Sequence, residues 1–94
     1  MSSILAKFSK QPVEVQDYDI DFTDYLEFHN DIASTHTAVA ETGLTILAST
    51  RTEGVVKVFV SGGTDGSSYK VSATITTVGG RVKQGDILVK VKEI

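Results

Sequence analysis

Three carboxylates stand at alternate positions, Asp17, Asp19 and Asp21. Such a D-x-D-x-D run opens a calcium loop, where alternate carboxylates converge on a hard cation. The rest of that loop is missing. Its sixth position is Phe22 where a sharp turn needs glycine, and its twelfth is Phe28 where a bidentate Glu belongs. From Asp17 to Phe22 acids and apolar residues alternate strictly, so a solvated strand face is the better reading, with a weak cation site at a subunit contact as the alternative.

His29 and His36 are the only histidines and match no metal-ligand spacing. Either could act as a base, but the chain has no Cys, and no Ser sits in a G-x-S-x-G elbow. The acids Asp24, Glu27 and Asp31 give no separation from which a glycosidase pair could be argued. Gly62-Gly63-Thr64-Asp65-Gly66 is glycine-rich, yet it lacks the Lys-Ser/Thr and the following helix of a phosphate loop, and reads as a turn. No catalytic residue, cofactor or metal ligand is assigned.

The composition around these residues favours strands. Val, Thr and Ile supply 30 of the 94 residues, and β-branched side chains favour a pleated surface. The chain has eight glycines and one proline and no helical run of Ala, Leu, Glu and Lys. An apolar fraction of 40% suits one soluble globular domain. No segment approaches the ~20 apolar residues of a membrane-spanning helix. The apolar run Ile4-Leu5-Ala6 ends at Lys7, too short for a signal-peptide core, which points to a chain made and kept in a cytoplasm, or assembled there.

Residues 1–12 read as an extended arm with Phe8 as its anchor and Pro12 at the start of the domain, residues 13–94 as a single domain. Tyr18, Ile20 and Phe22 point inward, and Thr23-Asp24-Tyr25-Leu26 forms a helical turn capped by Thr23. Strands follow at residues 32–39 and 44–49, the second with Leu44 and Ile46 inward. Val56, Val58 and Val60 share one strand face and Val55, Lys57 and Phe59 the other. Tyr69, Val71, Ala73 and Ile75 line the next strand, and Gly79-Gly80-Arg81 opens a long hairpin. The last strand turns Ile87, Val89 and Val91 inward, with Lys90 and Lys92 on its solvent side discouraging edge pairing. Six or seven short strands predict an antiparallel β-sandwich, Ig-like or fibronectin-III-like, with a small closed barrel as the rival. Tyr69, three residues after Gly66, stands where a tyrosine corner sits in Ig-like folds, its hydroxyl bonded to upstream backbone. Phe22, Gly62, Gly63, Gly66 and Tyr69 are the expected structural residues.

The net charge of −3 conceals a division. Residues 11–50 carry eight acids and no base, whereas residues 51–94 carry seven bases against four acids. Two halves of one fold attracting each other is the plain account. Complementary faces on neighbouring copies or partners are the alternative, with Phe8, Lys10, Pro12, Asp17, Asp19, Asp21, Lys90 and Lys92 as candidate contact residues. An acidic chain without a basic stripe disfavours nucleic acid as a partner.

Taken in order, several short runs resemble the fibre–tail adaptor proteins of tailed bacteriophages. They are Lys10-Gln11-Pro12; Asp17-Tyr18, Asp21-Phe22 and Leu26; Ile32-Ala33-Ser34; Gly43-Leu44-Thr45; the stretch Val58 to Val71 with its Ser-Gly-Gly-Thr turn; and Thr76-Thr77 followed by Gly79-Gly80-Arg81. The family usually has Trp where this chain has Phe22. The resemblance implies a non-enzymatic virion protein at a head–tail or tail-fibre junction, assembled in the host cytoplasm. Its partners would be tail, portal or fibre proteins and copies of itself in a ring, with no nucleic acid, membrane or cofactor. The arm is then expected to order on a neighbouring subunit. A capsid decoration protein and a carbohydrate-binding adhesion module are the alternatives, the latter poorly supplied with exposed aromatics.

Overall fold

A computed structural model of the chain describes residues 4–93. Seven strands and one short helix follow one another: β1 (Ile4–Lys10), β2 (Gln16–Asp21), α1 (Thr23–Phe28), β3 (Ala33–Ala40), β4 (Leu44–Thr52), β5 (Val55–Gly62), β6 (Ser68–Thr77) and β7 (Val82–Val91). They form a four-stranded sheet of order β1-β7-β6-β3 and a three-stranded sheet of order β2-β5-β4. Pairing is antiparallel except between β1 and β7. The sheets stack as a sandwich, as the composition predicted. Strands β2, β4 and β5 divide from β3, β6 and β7 as the second to seventh strands of an Ig-type sandwich do.

Period-two alternation builds the core. Ile20 from β2 and Val56, Val58 and Val60 from β5 meet Val71, Ala73 and Ile75 from β6 and Ile87, Val89 and Val91 from β7. Those of β2, β6 and β7 were expected to face inward, and the structure adds that the Val56, Val58 and Val60 face of β5 does so too. Phe22 closes the same cluster just after β2. Burying one such side chain contributes about 1.5–3 kcal/mol relative to leaving it exposed.

Three expectations change. Residues 4–10 of the supposed arm are not outside the domain: they run as β1 along β7 of the same chain, with Phe8 beside Val89 and Lys10 beside Val91. Residues 1–3 of that arm lie outside the described residues. The reason is that β7 offers an unpaired hydrogen-bonding edge, and Phe8 stacks on Tyr18 with ring centroids 4.5 Å apart. The second change follows from the first. β7 is interior to its sheet, between β1 and β6, so Lys90 and Lys92 guard no edge. Third, Thr23 is not a cap but the first helical residue; Phe22 takes the N-cap position, and the Asp21 carboxylate accepts the Thr23 N–H at 2.8 Å. A β4 irregularity between Ile46 and Ala48 leaves Leu47 exposed.

Candidate interaction surfaces

The three alternate carboxylates do lie together on the outer face of β2, but the structure fills the space between two of them. Lys57 of β5 stands opposite Asp19 in register, and its ammonium lies 3.0 Å from Asp17 Oδ2 and 3.1 Å from Asp19 Oδ1. Hydrogen bonds to Asp17 and then Asp19 raise the Lys57 pKa. Hydrogen bonding from Thr23 holds the Asp21 carboxyl below its ordinary value. Among the described residues no group of three or more His, Cys, Asp or Glu side chains could hold a metal ion. An exposed pair of this kind adds little stability, and here it marks the register of β2 on β5.

Phe8 and Lys10, expected at a contact surface, serve the interior. Lys10 is only 2% exposed. Its ammonium donates to the carbonyls of Gln11 at 2.8 Å and Gly62 at 2.7 Å, with Pro12 O at 3.4 Å. Pro12 lies in the turn after β1, so its carbonyl helps to hold this lysine. Beneath Phe8, burial first, then the charges of Glu14 and Asp17, push the Tyr18 phenol up.

Of the expected structural residues, Gly63 packs on Tyr69, Gly62 and Gly66 lie in the same loop, and Phe22 stands apart in the core just after β2. The Tyr69 hydroxyl accepts the backbone N–H of Thr64 at 2.9 Å, five residues upstream. The Thr64 hydroxyl, then its N–H, pull the phenol below its ordinary value. The ring lies between two glycines of positive φ: a Cβ on Gly43 would come within 2.8 Å of Tyr69 Cε1, and one on Gly63 within 3.3 Å of Cε2. Gly62 supplies the carbonyl to Lys10, and Gly66 donates its N–H to Val91 O at 2.8 Å. The glycine-rich segment is therefore a turn packed on β7, as its lack of a phosphate-loop sequence suggested.

The histidines do not come together into a catalytic group. His29 packs edge-on against Tyr25 and Phe28. His36 Nε2 lies 3.2 Å from Ser49 Oγ, but among the described residues no hydrogen bond joins a carboxylate to that imidazole.

A surface not singled out from the sequence lies at the end of the sandwich that carries α1 and the β6–β7 turn. Phe28, Ile32, Val78 and Val82 are 84%, 67%, 73% and 65% exposed. Asp31, whose side chain is 6% exposed, ties their segments together. Its Oδ1 accepts the N–H groups of Ile32 at 2.8 Å and Gly79 at 3.0 Å, and its Oδ2 lies 2.9 Å from Arg81 Nη1. Val78 N–H donates to Ile32 O at 2.8 Å, and Thr77 N–H to Arg81 O at 2.8 Å. Lys83 stands over the Tyr25 ring at 5.2 Å. Beside this patch a groove of about 400 Å³ has Leu26, Ile32, Ala33 and Gly54 among its lining residues, with Glu27 and Glu53. Apolar side chains held out on a braced turn make a surface suited to contact with another protein. The sequence carried a signal for it: Phe28 and Ile32 flank His29-Asn30-Asp31, and Val78 and Val82 flank Gly79-Gly80-Arg81, where turn chemistry favours polar residues.

Compared with known proteins, residues 10–90 match the family model described as "Podophage GP4 fiber-tail adaptor protein gp77". No curated protein matches the chain.

Proposed function

The chain belongs to the podophage fiber-tail adaptor family, and on that premise we propose that it is a non-enzymatic virion protein joining the phage tail to its fibres through its outer surface. Family membership implies a place in the virion and binding to other virion proteins, tail and fibre among them. The observation that carries the reading is the apolar end. Four large apolar side chains are displayed on segments braced by Asp31, so a partner can bury them without ordering a loop first. Among the described residues no helix is long and apolar enough to cross a membrane.

In this reading the end bearing Phe28, Ile32 and Val78 docks on one virion neighbour, and copies of the chain contact each other elsewhere. Replacing Phe28 and Ile32 by Ser tests it. Both side chains are exposed, so thermal stability should hold within about 0.5 kcal/mol per site. Particles assembled with the variant should lack fibres or lack the chain itself, as read by protein stoichiometry of purified virions. Variant particles with a full fibre complement would remove the apolar end as the joint. Purified wild-type particles without this chain would remove the adaptor function altogether.

A further inference from the structure

In the fold, three acids lie together on one outer face of the sandwich and three lysines on the other. On the outer face of the four-stranded sheet Lys7 of β1 and Lys70 of β6 both stand opposite Leu88 of β7 in register. Lys90 follows two residues along β7, between Ser9 and Ser68. All three lysines are exposed, and none belongs to a described ion pair. The carboxylates nearby are already engaged. Asp86 is 1% exposed and accepts from Gln84, and Glu41 at the sheet edge accepts the Lys70 N–H. On the opposite outer face stand Asp17, Asp19 and Asp21, with Lys57 held between the first two. Each face also offers apolar surface: half-buried Leu88 and exposed Val39 on the basic side, exposed Phe59 and Leu47 on the acidic side.

Sheets stack about 10 Å apart with their outer faces pointing away from each other, so these charges cannot neutralise one another within one copy. Two acidic faces repel, as do two basic faces; an acidic and a basic face attract and set register. We infer that a second copy of this chain seats the basic face of its four-stranded sheet on the acidic face of the three-stranded sheet of the first. Such a contact is head-to-tail: the two patches differ, so each copy keeps one of each kind free for the next. Successive copies close into a ring only where the rotation between them allows it. The inference rests on the adaptor reading only in requiring several copies at one place in the particle.

Two surface variants of the full chain test it. In the first, Lys7→Gln, Lys70→Gln and Lys90→Gln remove the basic face. In the second, Asp17→Asn, Asp19→Asn and Asp21→Asn remove the acidic one. Far-ultraviolet spectra and melting curves check that both fold. By sedimentation velocity at about 50 mM salt and up to about 1 mM protein, the wild type should self-associate. Raising the salt to about 500 mM should weaken that at least about tenfold. Each variant alone should be monomeric, and an equimolar mixture should give a 1:1 dimer that grows no further, because each partner supplies the one face the other lacks. A monomeric wild type, a variant that associates as the wild type does, or a mixture that stays monomeric would overturn the inference. So would a wild type that retains duplex DNA, while the lysine variant does not, without self-association. Fibre-bearing particles built from either variant would count against the self-contact and leave the adaptor function standing.

Discussion

The ammonium of Lys10 lies 2.7 Å from the carbonyl oxygen of Gly62, 52 residues further along the chain. This bond fastens the end of β1 to the end of β5, strands that belong to different sheets. A buried ammonium is tolerated there because backbone carbonyls replace its water. Lys10→Met should therefore lower stability by about 1.5–3 kcal/mol, whereas Lys7→Met, on an exposed residue of the same strand, should change it by less than about 0.5 kcal/mol. Urea midpoints at constant slope read the difference. Equal effects would mean that Lys10 is not an anchor.

Tyr69→Phe keeps the ring between Gly43 and Gly63 and removes the hydroxyl that accepts the Thr64 N–H. The expected loss is about 1 kcal/mol, with faster hydrogen exchange at the Thr64 amide. An unchanged exchange rate there would show that the hydroxyl does not hold the turn.

Gly63 and Gly66 share a left-handed backbone, with φ of +97° and +88°, but differ in surroundings. A Cβ on Gly63 would come within 2.5 Å of Val91 Cγ2; one on Gly66 meets nothing within 4 Å. Gly66→Ala should cost about 1 kcal/mol of backbone strain, and Gly63→Ala at least about 1 kcal/mol more through displacement of Val91. Thermal unfolding of the pair separates strain from overlap. Equal losses would remove the overlap.

Asp31 carries a pH dependence of known sign. The Thr77 hydroxyl first, with the Ile32 N–H, Arg81 and the Gly79 N–H, holds its carboxyl well below the ordinary value of 3.8, against the opposing effect of burial. The unfolded chain thus takes up this proton before the folded one does. The stabilisation is complete above pH 3.8 and is lost progressively as pH falls below it. Asp31→Asn should lower stability at neutral pH and flatten the decline on the acid side. Unfolding midpoints from about pH 7 to about pH 3 measure both; a variant with the same acid slope as the wild type would refute the role of Asp31.

Much of the fold was legible because burial on a strand has a period of two. Asp17 to Phe22 and Tyr69 to Ile75 carried their facing in local alternation, whereas Val55 to Val60 carried only its division into two faces, of which the structure turns Val56, Val58 and Val60 inward. β1 was not legible. Its stretch from Ile4 to Lys10 gives no clean alternation, and its place depends on an edge of β7 more than seventy residues away. The apolar end escaped for a related reason. Phe28, Ile32, Val78 and Val82 lie in two distant turns, and the bonds from Asp31 to Gly79 and Arg81, with the Val78–Ile32 backbone bond, make one surface of them.

Local alternation was enough to give the inward residues of β2, β6 and β7, composition the lack of thiols, and the order of short runs a family likeness. Only the closed fold shows that Lys10 is an internal anchor, that Lys57 sits between Asp17 and Asp19, and that the three aspartates of β2 face away from Lys7, Lys70 and Lys90. The physical reason is range. Facing follows from the dihedral repeat of neighbouring residues, whereas strand order and charge partners follow from which edges meet after the chain has closed on itself.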